Sequence, residues 1–237
     1  MNRFRHQPMR LLLPFLLATT LTACVDLSGT VVSSTKKAQL HAPHATTKVL
    51  KDKNKPDWKG EVHAMRGGLG IFSIGMNQLQ VAVAERYQVR STSCMWYNAG
   101  ELSRSIVNHH YKYNSHRPII LIGHSLGANE QIKVARNLQK AGIPVALLVT
   151  VDAVAPNRVP ANVKEVLNVY KPGFVPMFSG LRLEAVNPNT THIENINVTT
   201  LNGAKVNHFT IDKDTVVQAM ILDKIEKALT DANKKAA

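Results

Sequence analysis

The chain reads as an α/β protein, a mostly parallel sheet of about six strands with helices on both faces, and three features of the sequence lead there. Short apolar runs alternate with stretches in which apolar residues recur at helical spacing, the order of a parallel sheet connected by helices. Ile143-Pro-Val-Ala-Leu-Leu-Val-Thr-Val151 is the strongest strand in the chain. Pro118 to Ile122 has the unbroken apolar character of a strand buried on both faces, and it runs through Gly123-His124-Ser125-Leu126-Gly127 into a helical pattern.

At the amino end, Arg3, Arg5 and Arg10 precede an apolar segment, Leu11 to Ala23, too short to span a bilayer. A basic head on a short apolar segment is an export signal over residues 1–23. Residues 24–59 are rich in Ser, Thr, Lys and Pro and have little apolar periodicity, which predicts a flexible basic tether. The tether carries seven lysines against three aspartates, so the net charge of +13 is in part a property of this segment. Proximity to anionic lipid headgroups accounts for it without nucleic acid, and a solvated tail with no partner is the competing account.

The folded domain is expected over residues 60–237. Glu61 to Met65 is a short strand ending in Arg66-Gly67-Gly68-Leu69-Gly70, and Gly75 to Tyr87 is a helix with Met76, Leu79 and Val83 on its apolar positions. A phosphate-cradling loop would need a G-x-G-x-x-G or a Walker lysine, and neither is present. Tyr87 to Tyr97 holds the next strand, and Glu101 to Tyr113 the next helix. The His109-His110 pair has no second pair at ligand spacing, so no metal site is expected. Ala128 to Leu138 is the helix after Ser125. Val163 to Tyr170 is a strand, and Pro172 to Asn189 a loop with apolar content that either roofs a pocket or packs on the sheet. Thr191 to Thr200 is the last strand, and Asp214 to Ala232 the last helix.

A serine at the turn between a buried strand and a helix is forced into a tight backbone conformation, and glycines two residues to either side let the two elements approach. Its oxygen is then lifted clear of the chain. Strand, Gly123-His124-Ser125-Leu126-Gly127 and helix together resemble the nucleophile elbow of the α/β-hydrolases, over about residues 60 to 232. The competing reading is a tight turn with an idle serine. The resemblance implies a reduced α/β-hydrolase fold, since the early strands of the full-size fold are not evident before Gly60.

It also implies a set of roles. Ser125 is the nucleophile, and Asp152, at the carboxyl end of the 143–151 strand, is the acid of a triad; its alternative is to cap the Ala153–Pro156 turn. His208, between the last strand and the last helix, is the general base, with His192 as runner-up and His124 in a packing or supporting role. Ser125, Asp152 and His208 follow the chain order of the family. The oxyanion would be held by the N–H groups of Leu126 and of Gly68, with Leu69 the neighbour with which Gly68 is confusable; Arg66 stands where the family more often has histidine.

Leu21-Thr22-Ala23-Cys24 resembles the bacterial lipoprotein box, which implies a lipidated Cys24 as the first residue of the mature chain and a membrane-anchored protein of the cell envelope facing the periplasm. Val25 in place of an aspartate after the cysteine implies outer-membrane sorting. Cys94 is then left without an intramolecular partner, so no disulfide is expected, and it reads as a small buried residue. Together the two resemblances imply a serine hydrolase that cleaves a small-molecule or lipid acyl ester without cofactors. The alternatives are an inactive binding module of the same fold and an acyltransferase or thioesterase. Oligomeric state is not encoded in any motif.

Overall fold

The structure, a computed structural model, describes residues 44–46, 59–68, 70–113, 115–202 and 204–234. The expected export signal, Cys24 and most of the 24–59 segment lie outside the described residues, as does Leu69.

Six parallel strands form the sheet: β2 (Glu61–Arg66), β3 (Arg90–Met95), β4 (Ile119–His124), β5 (Val145–Val151), β7 (Val163–Tyr170) and β9 (His192–Asn197). Their order is β3-β2-β4-β5-β7-β9, and a two-residue strand, β1 (Ala45–Thr46), pairs antiparallel on the outer edge of β3. Among the described residues, four helices cover the sheet: α1 (Ile74–Tyr87), α2 (Ala99–Lys112), α3 (Leu126–Lys140) and α4 (Thr215–Lys234). A separate two-stranded ribbon joins β6 (Arg158–Val159) to β8 (Glu184–Ala185). The architecture is the mostly parallel six-stranded sheet with helices on both faces that the sequence predicts.

Every residue of β4 is buried, because the strand lies between two cores. Ile120 and Ile122 face a cluster with Met76, Leu79 and Val83 of α1 and Val217, Ile221 and Ile225 of α4. Ile119 and Leu121 face the opposite cluster, with Ile106 of α2 and Ile132, Ala135 and Leu138 of α3. A strand with apolar neighbours on both sides shows an unbroken apolar run, which is why alternation is missing here. Completely burying one such side chain contributes about 1.5–3 kcal/mol.

Several boundaries shift by one to three residues. The helix expected from Glu101 begins at Ala99, and the last strand ends at Asn197, with Val198–Thr200 forming a turn of 3₁₀ helix. β1, β6 and β8 were not expected: two residues are too few to display a period. Among the described residues, no helix is long and apolar enough to cross a membrane.

Candidate active site

Ser125 occupies the turn between β4 and α3 with φ 58° and ψ −127°, a left-handed conformation that a residue with a Cβ adopts only under constraint. The constraint is visible on both sides. Its N–H donates to the Val151 carbonyl at 2.9 Å. A Cβ on Gly123 would lie 2.4 Å from the Gly127 carbonyl oxygen, and one on Gly127 2.4 Å from that of Met65. Only glycine permits this closeness of β4, α3 and β2.

β4 and β5 pair His124 with Val151, so the residues following the two strands emerge side by side on one rim. Asp152 is the first residue past β5 and is fully buried. It has φ 52°, which turns its carboxylate back over the rim. One oxygen, Oδ1, accepts from the backbone N–H of Lys171 at 2.7 Å; the other, Oδ2, accepts from His208 Nδ1–H at 2.7 Å. Because that proton is on Nδ1, Nε2 is left to face Ser125 Oγ, at 2.9 Å. The three side chains singled out in the sequence therefore meet, although Ser125 and His208 are 83 residues apart. The turn that Asp152 was alternatively expected to cap is served by another residue: Asn129 Oδ1 accepts from the N–H groups of Val154 and Ala155. His192 opens β9 at the other rim of the sheet.

His124 is buried under His208 with ring centroids 5.1 Å apart. Burial pushes its imidazole down to about 3, so it is neutral. Its Nε2 lies 2.9 Å from the His208 carbonyl oxygen, which can only accept, so Nε2 carries the proton. Nδ1 must then accept, and it does so from Ser73 Oγ–H at 2.8 Å. With its proton committed, the Ser73 oxygen accepts from Gly67 N–H at 3.1 Å. One neutral imidazole thus ties the loop carrying His208 to the loop carrying Gly67 and Gly68. Ser73 stands at the amino-terminal cap position of α1 but makes no capping bond, because its hydroxyl is used here. The N–H of Gly75 in that helix is capped instead by Asp212 Oδ2 at 2.8 Å.

Gly67 presses on the elbow: a Cβ there would lie 2.8 Å from Ser125 Cβ and 2.9 Å from the Leu126 nitrogen. Its carbonyl accepts from Gly70 N–H at 3.0 Å, and Trp96 Nε1–H donates to the Gly68 carbonyl at 2.8 Å. These two bonds fix the peptide planes on either side of Gly68, whose φ is 50°. Leu126 is the first residue of α3, where an N–H has no partner inside the helix.

Ser73, Trp96, Asn129 and Asp212 were not recognised in the sequence. Their roles depend on contacts across 25 to 137 residues, and no local motif marks them. Cys94 is buried and free, and burial pushes its thiol up to about 12, far from a nucleophile's range. Among the described residues, no group of three His, Cys, Asp or Glu side chains is arranged to hold a metal ion.

No protein-family model matches the chain, and no curated protein matches it. Among solved structures it is similar to the type II thioesterase BorB from the borrelidin biosynthetic cluster, with a TM-score of 0.47 and 12% identity over 79% of this chain and 96% of that one. It is also similar to YbtT, a type II thioesterase from the yersiniabactin pathway, with a TM-score of 0.45 and 11% identity over 81% and 99% of the two chains. For human thioesterase 2 the values are 0.40 and 12% over 73% and 97%. Likenesses this distant assign no activity to the chain.

Proposed function

We propose that the chain is an envelope-anchored serine hydrolase of acyl esters, held at the membrane through a lipidated Cys24. The observation that carries the chemistry is the unbroken line from Asp152 Oδ2 to His208 Nδ1, 2.7 Å, and from His208 Nε2 to Ser125 Oγ, 2.9 Å.

In this reading His208 Nε2 takes the hydroxyl proton as Ser125 Oγ attacks the acyl carbon, and Asp152 holds the imidazole in the required tautomer. The oxyanion receives the N–H groups of Leu126 and Gly68, each donor worth about 3–4 kcal/mol of transition-state stabilisation. His208 returns the proton to the leaving alcohol oxygen. The acyl-enzyme is then opened by water, which His208 deprotonates in turn. His208 carries the proton in each of these steps, and none of them calls for a metal or an organic cofactor. An ester is preferred over a coenzyme A thioester because the sequence carries an export signal and a lipoprotein box, which put the chain beside membrane esters.

The test is hydrolysis of p-nitrophenyl esters of graded acyl length by the wild type and by Ser125→Ala. Turnover that vanishes in the variant supports the reading. Absence of turnover on every ester and thioester points to a binding module, and products formed only with added alcohols or amines point to acyl transfer.

A further inference from the structure

The mouth of the Ser125–His208 site is rimmed by apolar side chains that the fold leaves in water. Phe174 is completely exposed, at 104%, and Phe178, Phe72 and Phe209 are 52%, 44% and 38% exposed, with Val175 and Met177 beside them. Phe72, Phe178 and Phe209 form one surface over the general base, and Phe174, Val175 and Met177 belong to the same loop as Phe178. Phe209 packs on Phe72 at 5.0 Å and on Phe178 at 5.3 Å between ring centroids, and Phe178 meets the His208 ring edge-on at 5.7 Å. Apolar side chains gathered in this way on a surface mark a contact site.

The loop that carries four of them is bonded to the catalytic acid at one end and closed beside it at the other. Lys171 N–H donates to Asp152 Oδ1, Gly180 N–H donates to the Lys171 carbonyl at 2.8 Å, and Leu181 N–H donates to that of Ala153 at 3.1 Å. A Cβ on Gly180 would fall 2.0 Å from Asp152 Oδ1, so the loop closes directly against the carboxylate. Its apolar tip therefore projects from a fixed base.

Two further observations choose the occupant. β1 runs antiparallel to β3, with Ala45 opposite Ser93 and Thr46 opposite Thr92. From Thr46 back to His44 the chain therefore steps toward the carboxyl end of β3, and His44 lies 3.9 Å from Glu101 in the first turn of α2 at that rim. This is also the rim of Ser125 and Asp152. His44 is twenty positions after Cys24, a span of at most about 70 Å. Charge agrees in the two loops beside the collar: residues 171–183 hold Lys171 and Arg182 and no carboxylate, and residues 199–211 hold Lys205 and none, while Glu101 farther along the rim faces His44. Basic residues around an apolar surface suit anionic headgroups over acyl chains.

We propose that this rim is a bilayer-docking surface: the apolar collar enters the leaflet that anchors Cys24, and the site takes its ester from that leaflet. The proposal rests on the reading of Cys24 as lipidated and of Ser125 as nucleophile, and it adds the orientation and the substrate class.

The test is a nitroxide label at Phe174→Cys, and separately at Lys227→Cys, in the full chain carrying Cys94→Ala and reconstituted in phosphatidylethanolamine–phosphatidylglycerol vesicles. Lys227 lines a cavity with Lys164 and Ala146 at the amino ends of β7 and β5, the far side of the sheet. Oxygen accessibility relative to a soluble nickel chelate should be several-fold higher at 174 than at 227. Equal ratios overturn the proposal, and so does a label at 174 shielded from both reagents, which means a protein occupies the surface. In a second arm, Phe174→Ser with Met177→Ser should lower the ratio of vesicle-ester to soluble-ester hydrolysis tenfold or more; an unchanged ratio contradicts the docking role. Label depth is read without turnover, and the mass of the Cys24 peptide reads lipidation, so a failure of the hydrolase or anchor reading is separable from a failure of docking.

Discussion

His124 and His208 are joined through a backbone group: the ring Nε2–H of the first is held 2.9 Å from the backbone carbonyl oxygen of the second. The direction is fixed, since the carbonyl has no proton to give. The other nitrogen of His124 must accept from Ser73, and Ser73 from Gly67 N–H. The loop of His208 and the loop proposed to hold the oxyanion are thereby positioned by one side chain, that of the residue before Ser125.

Ser73→Ala removes the middle of that line and strands a buried acceptor on His124. The expected cost is about 1–3 kcal/mol of stability. Activity should respond differently: kcat on a soluble ester falls about tenfold or more with KM little changed, because Gly67 and His208 lose a common reference. Ser73→Thr, which keeps the hydroxyl, should recover most of kcat. Steady-state kinetics beside urea unfolding separates the two effects; a stability loss with kcat unchanged would leave Ser73 a purely structural residue.

Asp212 and His124 are buried titratable groups with opposite effects on stability. Burial raises the Asp212 carboxyl to about 7 from 3.8, although Gly75 N–H donates to it. The folded chain thus holds a proton there that the unfolded chain has released, and stability is lost as pH rises from about 4 through about 7. The interval corresponds to about 4 kcal/mol as an upper figure. His124, pushed down to about 3 from 6.5, acts the other way: its contribution is present above about 6.5 and is lost as pH falls toward 3. Asp212→Asn keeps an oxygen for Gly75 N–H and cannot ionise. The variant should gain stability over the wild type at pH 8 and show a stability that rises between pH 4 and 6.5. Urea midpoints at pH 4, 6 and 8 measure this, and parallel curves for the two proteins would refute the assignment.

Two adjacent glycines give a contrast. An alanine Cβ at 67 meets the His124 carbonyl oxygen at 2.5 Å and the Leu126 nitrogen at 2.9 Å, both backbone, so Gly67→Ala must force the two loops apart. At 68 the Cβ meets nothing within 4 Å, and only the φ of 50° opposes it. Gly67→Ala should lower kcat/KM at least a hundredfold and cost about 1–3 kcal/mol or more. Gly68→Ala should cost about 1–2 kcal/mol. Thermal melts with ester kinetics decide; equal effects on activity would place the oxyanion contact elsewhere.

Much of this was readable from residues 117–127 and 143–152, where an unbroken apolar run, glycines at fixed offsets and an acid at a strand end each follow from local sterics and burial. The position of Asp152 followed from its place at the end of a parallel strand, and that of His208 from the chain order that the resemblance to the α/β-hydrolases implies. Ser73 was not readable, because it looks like an ordinary helix cap and its partner is 51 residues away. The 172–189 loop showed apolar content but not its direction. That direction is set by the bonds of Lys171 and Gly180 around Asp152, which no periodicity records. β1 lay within a segment whose composition is that of a linker, and its two residues pair only because the edge of β3 is open to them.

The most direct test of the central claim is reaction of the full chain with a fluorophosphonate, followed by peptide mass mapping. One phosphonylated residue, Ser125, is expected, with labelling abolished by Ser125→Ala and slowed at least a hundredfold by His208→Ala. A wild-type chain that remains unlabelled, or a label on another serine that survives Ser125→Ala, contradicts it.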